Sequence, residues 1–187
     1  YTKTSIDFLS VKNEILFVNG KIYIKINDIY FEIVNRYFLK KVKEPYESQA
    51  NITINFLKKF KVEPKIILDV GSCWGEYSLI LGRHFINSTI YSIEGSHKNY
   101  EILLSNISFK LNDIKNVKTF NCIISDNNTT KYITNLVSTM NSVRDKIPIN
   151  ETTYSKVKSL KLSNFLLENN LNYIDFLKLD IEGHEIN

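Results

Sequence analysis

The first strong pattern along the chain is an alternation of apolar and polar residues between Glu14 and Val34. The stretch reads EILFVNGKIYIKINDIYFEIV, and alternation with a period of two is typical of strands that bury one face. Asn19-Gly20 is the strongest kind of short hairpin signal, and Asn27-Asp28 suits a second turn. The pattern therefore predicts a small antiparallel β-meander.

A helix is predicted next, over the stretch YESQANITINFLKKF that ends at Phe60. Its apolar residues Ile52, Phe56, Leu57 and Phe60 recur at helical spacing, and we expect the face that they form to be buried. Pro64 closes this region, because proline cannot continue a helix.

After Pro64 the pattern changes to strands that alternate with helices. The predicted core strands are KIILDV, STIYSIEG, NVKTFNCIIS and YIDFLKLD, and the helices between the first three are Gly75 to Phe85 and SHKNYEILLSNISF, capped by Ser96. Before the last strand lie a short strand at Lys131–Ile133, the strand KVKSLKL and the helix NFLLENN, capped by Ser163. Continuous apolar strands that alternate with helices are typical of a parallel sheet covered on both faces. The predicted fold class is a doubly wound α/β fold with a mostly parallel sheet, preceded by the meander and a helix.

Composition narrows the class of protein. The chain has 187 residues, of which 43% are hydrophobic and 24% are charged, so it can fill one core. The net charge of +4 is spread along the chain, and we expect no nucleic-acid partner. No run approaches the roughly 20 apolar residues of a membrane span. The two cysteines have no metal-ligand spacing and fit a reducing compartment, so we expect a cytoplasmic protein without a metal site.

The candidate chemistry lies at the carboxyl ends of the predicted parallel strands, where ligands bind in doubly wound sheets. Asp69, Glu94 and Asp180 each stand at such an end. Glu94 follows Gly71 by 23 residues. That spacing is typical of an acid that hydrogen-bonds the hydroxyls of a ribose. The strand ends therefore predict a ligand that contains a nucleoside.

The loop after the first core strand discriminates between such ligands. It reads GSCWG, and Cys73 stands where a dinucleotide fingerprint has its middle glycine. Asp69, just ahead of the loop, would repel a pyrophosphate but suits a ligand with an ammonium and a sulfonium group. S-adenosylmethionine has both groups and a ribose, and its carboxylate suits the helix N-terminus after Gly75. The loop favours S-adenosylmethionine over NAD.

Four segments together resemble one family. LDVGSCWGEYSL, YSIEGSHKNYEIL, NVKTFNCIISD and VKSLKLSNFLLENNLNYIDFLKLDIEGHE are similar, in this order, to the motifs of the FkbM family of S-adenosylmethionine-dependent methyltransferases. The resemblance runs from Pro45 to the C-terminus. It departs from the family pattern at Ser72 and Cys73, where Ala and Asn are usual, at Trp74, and at Asn164, which replaces an Asp.

The resemblance implies a role for each matched residue. The residues that would bind the cofactor are Asp69, Gly71, Ser72, Cys73 and Gly75 on the methionine side, Glu94 at the ribose, and Cys122 and Ile123 beside the adenine. The residues that would line the reaction centre as catalytic candidates are Asp180, Glu182 and His184. Neighbouring carboxylates raise one another's pKa, which suits a general base. The alternative is that they bind a divalent cation through their oxygens; the resemblance does not require a metal, and we expect none. Lys178 is either a structural residue or a cation of the pocket.

The resemblance also implies a reaction. We expect methyl transfer from S-adenosylmethionine to a hydroxyl of a sugar, glycan or natural product. A methyltransferase acting on RNA or protein is one alternative, and a non-catalytic domain that binds cofactor or a partner is another. We divide the chain into an accessory region, residues 1–44, and a methyltransferase domain, residues 45–187. The last strand and loop have nothing after them, so we expect a C-terminally truncated fragment.

Overall fold

The computed structural model of the protein describes residues 14–34, 48–138, 141–147 and 153–181. The secondary-structure elements, in chain order, are β1 (Ile15–Val18), β2 (Lys21–Ile26), β3 (Ile29–Glu32), α1 (Gln49–Lys59), β4 (Ile66–Val70), α2 (Glu76–His84), β5 (Thr89–Ile93), α3 (His97–Ser108), β6 (Val117–Phe120), β7 (Ile123–Ile124), β8 (Thr130–Thr134), β9 (Val143–Arg144), β10 (Tyr154–Leu160), α4 (Leu162–Glu168) and β11 (Phe176–Leu179).

The first three strands form an antiparallel sheet in the order β1-β2-β3. Its two turns lie at Asn19-Gly20 and Asn27-Asp28, and all four of these residues have a positive φ. Two-residue hairpin loops whose twist matches the flanking strands require that conformation, which Asn, Asp and Gly adopt readily. The predicted meander is confirmed.

A second sheet has the order β11-β4-β5-β6, and all its strand pairs are parallel. Helices α2 and α3 connect β4 to β5 and β5 to β6, and they pack with α1 and the meander in one core cluster. Helix α4 precedes β11, and its Phe165 belongs to the cluster on the opposite face. The strand order therefore reverses between β4 and β11, and the predicted doubly wound α/β fold is confirmed.

A third, mixed sheet has the order β7-β10-β8-β9 and is not foreseen by the sequence pattern. The stretch NVKTFNCIIS, predicted as one strand, is divided between β6 in the second sheet and β7 in the third. Asn121 lies at the break, where its side-chain amide donates to the carbonyl oxygens of Glu94 (2.8 Å) and Gly95 (3.1 Å). The strand predicted at Lys131–Ile133 is confirmed as the middle of β8.

The prediction for the buried face of α1 is wrong. The helix buries Ala50, Ile54 and Leu57 and leaves Ile52, Phe56 and Phe60 exposed, so of the predicted face only Leu57 is buried. Both sets recur at helical spacing, and periodicity alone cannot rank them. Ala50 and Ile54 pack into the core cluster under α2, and this packing selects the face.

The prediction that Ser163 caps a helix is also wrong. Helix α4 begins at Leu162, and the N-cap position is held by Lys161 without a side-chain cap. The backbone N–H of Lys161 donates instead to the side chain of Asn128 at 2.8 Å. That contact with a distant loop fixes the start of the helix ahead of Ser163.

The meander packs against α3 and the loop that follows it. Asn112 accepts a hydrogen bond from the backbone N–H of Tyr30 (2.7 Å) and donates one to its carbonyl oxygen (2.8 Å). Asn106 of α3 accepts one from the N–H of Glu32 at 2.8 Å, and Phe31 is buried in the core cluster of α2 and α3. The meander and the parallel sheet thus share a core, and the domain division at residue 44 stays a prediction.

Candidate active site

The carboxyl ends of β4, β5 and β11 open into one cavity, which we call the strand-end cavity. It is lined by the start of α1, by the chain after each of the three strands, and by residues of the third sheet. The residues that line it and concern us are Gln49, Gly71, Ser72, Cys73, Trp74, Glu76, Tyr77, Glu94, Gly95, Asn99, Cys122, Ile123, Ser125, Ile133, Ser138, Asn141, Val143, Lys178 and Asp180.

The loop after β4 runs along one wall of the cavity and has three residues of positive φ. These are Gly71 (φ 79°), Cys73 (φ 52°) and Gly75 (φ 84°). A Cβ on Gly71 would overlap the carbonyl oxygen of Asp180, so the place where β4 and β11 meet requires a glycine. Cys73 adopts a left-handed conformation that is uncommon for a residue with a side chain other than Asn or Asp.

Glu94 lies at the end of β5 with 6% of its surface exposed. Its two carboxylate oxygens accept hydrogen bonds from the backbone N–H groups of Cys73 and Ser96, each at 2.8 Å. Each carboxylate oxygen has two lone pairs. Glu94 therefore ties the loop after β4 to the start of α3 and keeps capacity for hydroxyl donors in the cavity.

Burial controls the ionisation of Glu94. Loss of solvation raises the pKa of its carboxyl from the ordinary value of 4.5 to about 7, and the negative charge of Asp69 acts in the same direction. The N–H groups of Ser96 and Cys73 and the amide of Asn99 lower the pKa, but by less. Hydroxyl groups that donate to Glu94 would favour its ionised form.

Asp69 lies beneath the cavity and does not line it. The residue is fully buried, and its carboxylate accepts hydrogen bonds from Ser78 Oγ (2.6 Å) and Lys178 Nζ (3.1 Å). A buried carboxylate needs such partners, because an isolated charge is strongly disfavoured in the interior. The role of Asp69 toward a ligand's ammonium group stays a prediction.

Lys178 connects the floor of the cavity to its mouth. Besides Asp69, its ammonium contacts the carbonyl oxygen of Gly71 at 3.3 Å and lies 3.5 Å from the carboxylate of Asp180. Asp180 follows β11 and its side chain is 55% exposed. The structure thus places the first catalytic candidate at the cavity beside a cation. Glu182 and His184 lie outside the described residues, and their roles stay predictions.

Cys122 and Ile123 line the opposite end of the cavity, beyond Gly95. Burial raises the pKa of the Cys122 thiol to about 11, so the thiol stays protonated and is a packing group here. Ile133 and Val143, from the third sheet, line the same end. The wall is apolar, as a nucleobase requires, and the assignment of Cys122 and Ile123 to an adenine stays a prediction.

Ser72 carries a buried hydroxyl for which the structure shows no hydrogen-bond partner. The residue is 4% exposed and lies in the wall of the cavity. Buried polar groups nearly always have a hydrogen-bond partner. A buried hydroxyl without one either lowers the stability of the fold or bonds to a ligand.

Sequence reasoning missed several residues that line the cavity. The clearest are Asn99, Tyr77, Ser138 and Asn141. Asn99 stands three residues after the cap Ser96 and carries a polar side chain on the buried side of α3, a signal that the sequence contains. Ser138 and Asn141 lie in the irregular stretch of the chain, and no local pattern brings them to a strand end.

The wall of the cavity carries more carboxylate than ammonium groups, although the net charge of the whole chain is +4. Glu76, Glu94 and Asp180 contribute carboxylates and Lys178 an ammonium group. Within the described ranges, no group of three or more His, Cys, Asp and Glu side chains could hold a metal ion. An acidic wall is complementary to a cationic ligand.

Comparison with known proteins assigns the family. The sequence profile of the methyltransferase FkbM domain matches residues 50–187. The chain belongs to the FkbM methyltransferase family. The predicted membership is thereby confirmed, and the methyl donor of this family is S-adenosylmethionine.

Two solved structures resemble this chain distantly. P. horikoshii TYW2 in complex with MeSAdo has a TM-score of 0.37 and 18% identity over 57% of this chain and 37% of that one. M. jannaschii TYW2 in complex with AdoMet has a TM-score of 0.34 and 22% identity over 65% of this chain and 48% of that one. The chain thus spans less than half the length of these proteins. No curated protein sequence matches it.

The residues of the strand-end cavity fit S-adenosylmethionine. Glu94 presents a nearly buried carboxylate to hydroxyl donors, the far end is apolar, and the acidic wall suits the ligand's positive charge. Gly71 and Gly75 keep the loop after β4 in a form that a side chain would block. Among helices of the described residues, none is long and apolar enough to cross a membrane. The cytoplasmic location stays a prediction.

Proposed function

We propose that the protein transfers a methyl group from S-adenosylmethionine to a hydroxyl oxygen of a sugar, glycan or natural product. Membership of the FkbM family supports the transfer and the donor. The position of Asp180 supports the hydroxyl acceptor. Its carboxylate lines the cavity at the strand switch point and is more than half exposed, so an acceptor can reach it.

S-adenosylmethionine, when bound, supplies an electrophilic methyl group on its sulfonium sulfur. Glu94 accepts the hydrogen bonds of the ribose hydroxyls and so fixes the nucleoside. Asp180 would accept the proton that the acceptor hydroxyl gives up; the bond between the methyl carbon and sulfur would break as the bond to the acceptor oxygen forms, and S-adenosylhomocysteine would leave. Holding both reactants in line can lower the activation barrier by roughly 7–11 kcal/mol. A positioned base increases the rate by about 10²–10⁴-fold.

The observation that carries this proposal is the pair of carboxylates on one cavity. Glu94 and Asp180 stand at the ends of β5 and β11, on either side of β4. One is nearly buried and linked to backbone N–H groups. The other is exposed and held by Lys178. These environments suit a binding role for Glu94 and a proton-accepting role for Asp180.

A screen of hydroxylated acceptors with methyl-labelled S-adenosylmethionine tests the proposal. We expect label on the hydroxyl oxygen of a sugar, glycan or natural product. Asp180→Asn should lower kcat by about 100-fold or more while the Kd for S-adenosylmethionine stays similar. Asp113→Asn, an exposed site after α3, is the matched control and should keep full activity. Label found on RNA or protein instead of these acceptors, or full turnover by the Asp180 variant, contradicts the proposal.

A further inference from the structure

A short segment after β8, residues 135–138, lies beside the start of α3. We call it the 135–138 loop. It follows β8, and Ser138 lines the cavity together with Asn99 of α3. Two asparagines join this loop to the start of α3 by hydrogen bonds, Asn99 from the helix and Asn135 from the loop.

Asn99 forms the first fastening. Its side-chain amide donates to the carbonyl oxygen of Ser138 at 2.7 Å, and its carbonyl oxygen accepts from the N–H of Ser138 at 3.3 Å. The same oxygen accepts from the indole N–H of Trp74 at 3.1 Å. Asn99 is 2% exposed, so these bonds are shielded from water and costly to lose.

Asn135 forms the second fastening. Its side-chain oxygen accepts hydrogen bonds from the N–H of Lys98 at 3.0 Å and from the hydroxyl of Ser96 at 3.4 Å. Ser96 also reaches the carbonyl oxygen of Leu136 at 3.4 Å. The 135–138 loop is therefore held at the helix start that also donates to Glu94 through the N–H of Ser96.

Asn99 also lies close enough to Glu94 for its amide to lower the pKa of that carboxyl. From its position on α3, the side chain therefore reaches three parts of the site: the acid after β5, the loop after β4 through Trp74, and the 135–138 loop. An amide has two N–H donors and one oxygen with two lone pairs. The oxygen accepts two of the bonds described and the NH₂ group donates one, which fixes the orientation of the group.

We propose that Asn99 is a positioning residue that holds Glu94 and the 135–138 loop in one arrangement around the nucleoside of S-adenosylmethionine. This inference rests on the proposed use of that cofactor. It assigns the 135–138 loop to the nucleoside end of the cavity and makes it a cover over the cofactor. The loop then acts on the nucleoside, whereas the acceptor reacts beside Lys178 and Asp180.

Two ligands test the proposal by calorimetry with the full chain: S-adenosylmethionine, and methylthioadenosine, which carries the nucleoside without the amino-acid part. Asn99→Ala should weaken both by the same factor, about tenfold, because the lost contacts concern only the nucleoside end. Asn135→Ala, which loosens the loop without touching Glu94, should weaken both in the same direction.

Asn106→Ala is the matched control. Asn106 is a buried asparagine of the same helix. Its side-chain NH₂ group donates to the backbone carbonyl oxygen of Trp74 at 2.9 Å, but its side-chain oxygen accepts from the N–H of Glu32 in the meander. Its loss should lower the stability of the fold and leave both dissociation constants within about twofold of wild type.

The pH dependence of binding separates positioning from a merely structural role. The neutral amide of Asn99 lowers the pKa of Glu94, and the charged carboxylate of Asp69 raises it. In Asn99→Ala the midpoint of affinity against pH should move to higher pH, and in Asn106→Ala it should stay in place.

The outcomes distinguish the inference from the proposed function. No binding of S-adenosylmethionine by the wild-type chain overturns the proposed function itself. Wild-type binding with an Asn99→Ala variant that keeps its affinity for methylthioadenosine overturns the inference alone. So does an unmoved pH midpoint in that variant, or equal losses in Asn99→Ala and Asn106→Ala.

Discussion

Glu94 is nearly buried, and we expect its carboxylate to accept hydrogen bonds from the ligand. Burial raises its pKa to about 7, so near neutral pH the ligand-free protein holds Glu94 partly protonated. The hydrogen bonds from Cys73 and Ser96 nevertheless orient the group toward the cavity. The residue is thus positioned for its role before a ligand arrives.

The stability of the ligand-free protein should depend on pH through this residue. The folded-state pKa of about 7 lies above the ordinary value of 4.5. The contribution is therefore fully present below about pH 4.5 and is lost as pH rises through about 7, by up to about 3 kcal/mol. Urea unfolding at about pH 5 and about pH 8 measures it. Glu94→Gln should reduce the difference between the two conditions, and exposed Glu63→Gln should not. An unchanged difference in the Glu94 variant contradicts this account of its burial.

The orphaned hydroxyl of Ser72 gives a second prediction. Ser72→Ala removes a buried group without a partner, so the free energy of unfolding should rise by about 1 kcal/mol. Ser78→Ala is the matched comparison, because Ser78 Oγ donates to Asp69 at 2.6 Å, and its loss should cost about 2 kcal/mol. Denaturant unfolding compares the two. A clear loss of stability in Ser72→Ala would show that its hydroxyl has a partner.

At the scale of elements, the junction of β4 and β11 depends on one glycine. Gly71 and Gly20 both have a positive φ, but a Cβ on Gly20 meets no atom within 4 Å, whereas one on Gly71 overlaps Asp180. Gly20→Ala should therefore cost about 1 kcal/mol of stability, for its conformation alone. Gly71→Ala should cost at least about 2 kcal/mol more, since the strand ends must separate. Thermal or denaturant unfolding of both variants checks the difference, and equal losses would contradict the close approach.

Elements whose cause is local could be predicted from the sequence. Asn19-Gly20 fixes a hairpin turn by its own backbone preference, and Ser96 caps α3 by bonding to Asn99 three residues on. The buried face of α1 could not be predicted, because it is selected by packing against α2. The division of β6 from β7 depends likewise on Asn121 reaching carbonyl groups of Glu94 and Gly95.

In the candidate site, too, local features could be predicted from the sequence and long-range contacts could not. Sequence spacing marked Gly71 and Glu94, because the strand, loop, helix and next strand that join them are consecutive in the chain. The contact between Lys178 and Asp69 joins residues 109 positions apart, and the 135–138 loop lies in a stretch after β8 that has no regular sequence pattern. Sequence reasoning marked strand ends and missed the groups that converge on them from elsewhere.

At the scale of the whole molecule, the meander and the parallel sheet bury one apolar cluster between them. Phe31 of β3 is 0% exposed and packs in that cluster, whereas Phe17 of β1 is 71% exposed. Phe31→Ala should cost about 3–5 kcal/mol, and Phe17→Ala about 0.5 kcal/mol or less. Unfolding followed by two probes should show one transition. Two separate transitions would indicate that the meander is an independent accessory unit.

If the strand-end cavity binds S-adenosylmethionine, Glu94 should hold its ribose. Calorimetric titration of the chain with S-adenosylmethionine measures this binding. We expect a single site that binds S-adenosylmethionine more tightly than NAD and loses at least about tenfold in affinity in Glu94→Ala. Absence of binding, tighter binding of NAD, or unchanged affinity in the Glu94 variant would contradict it.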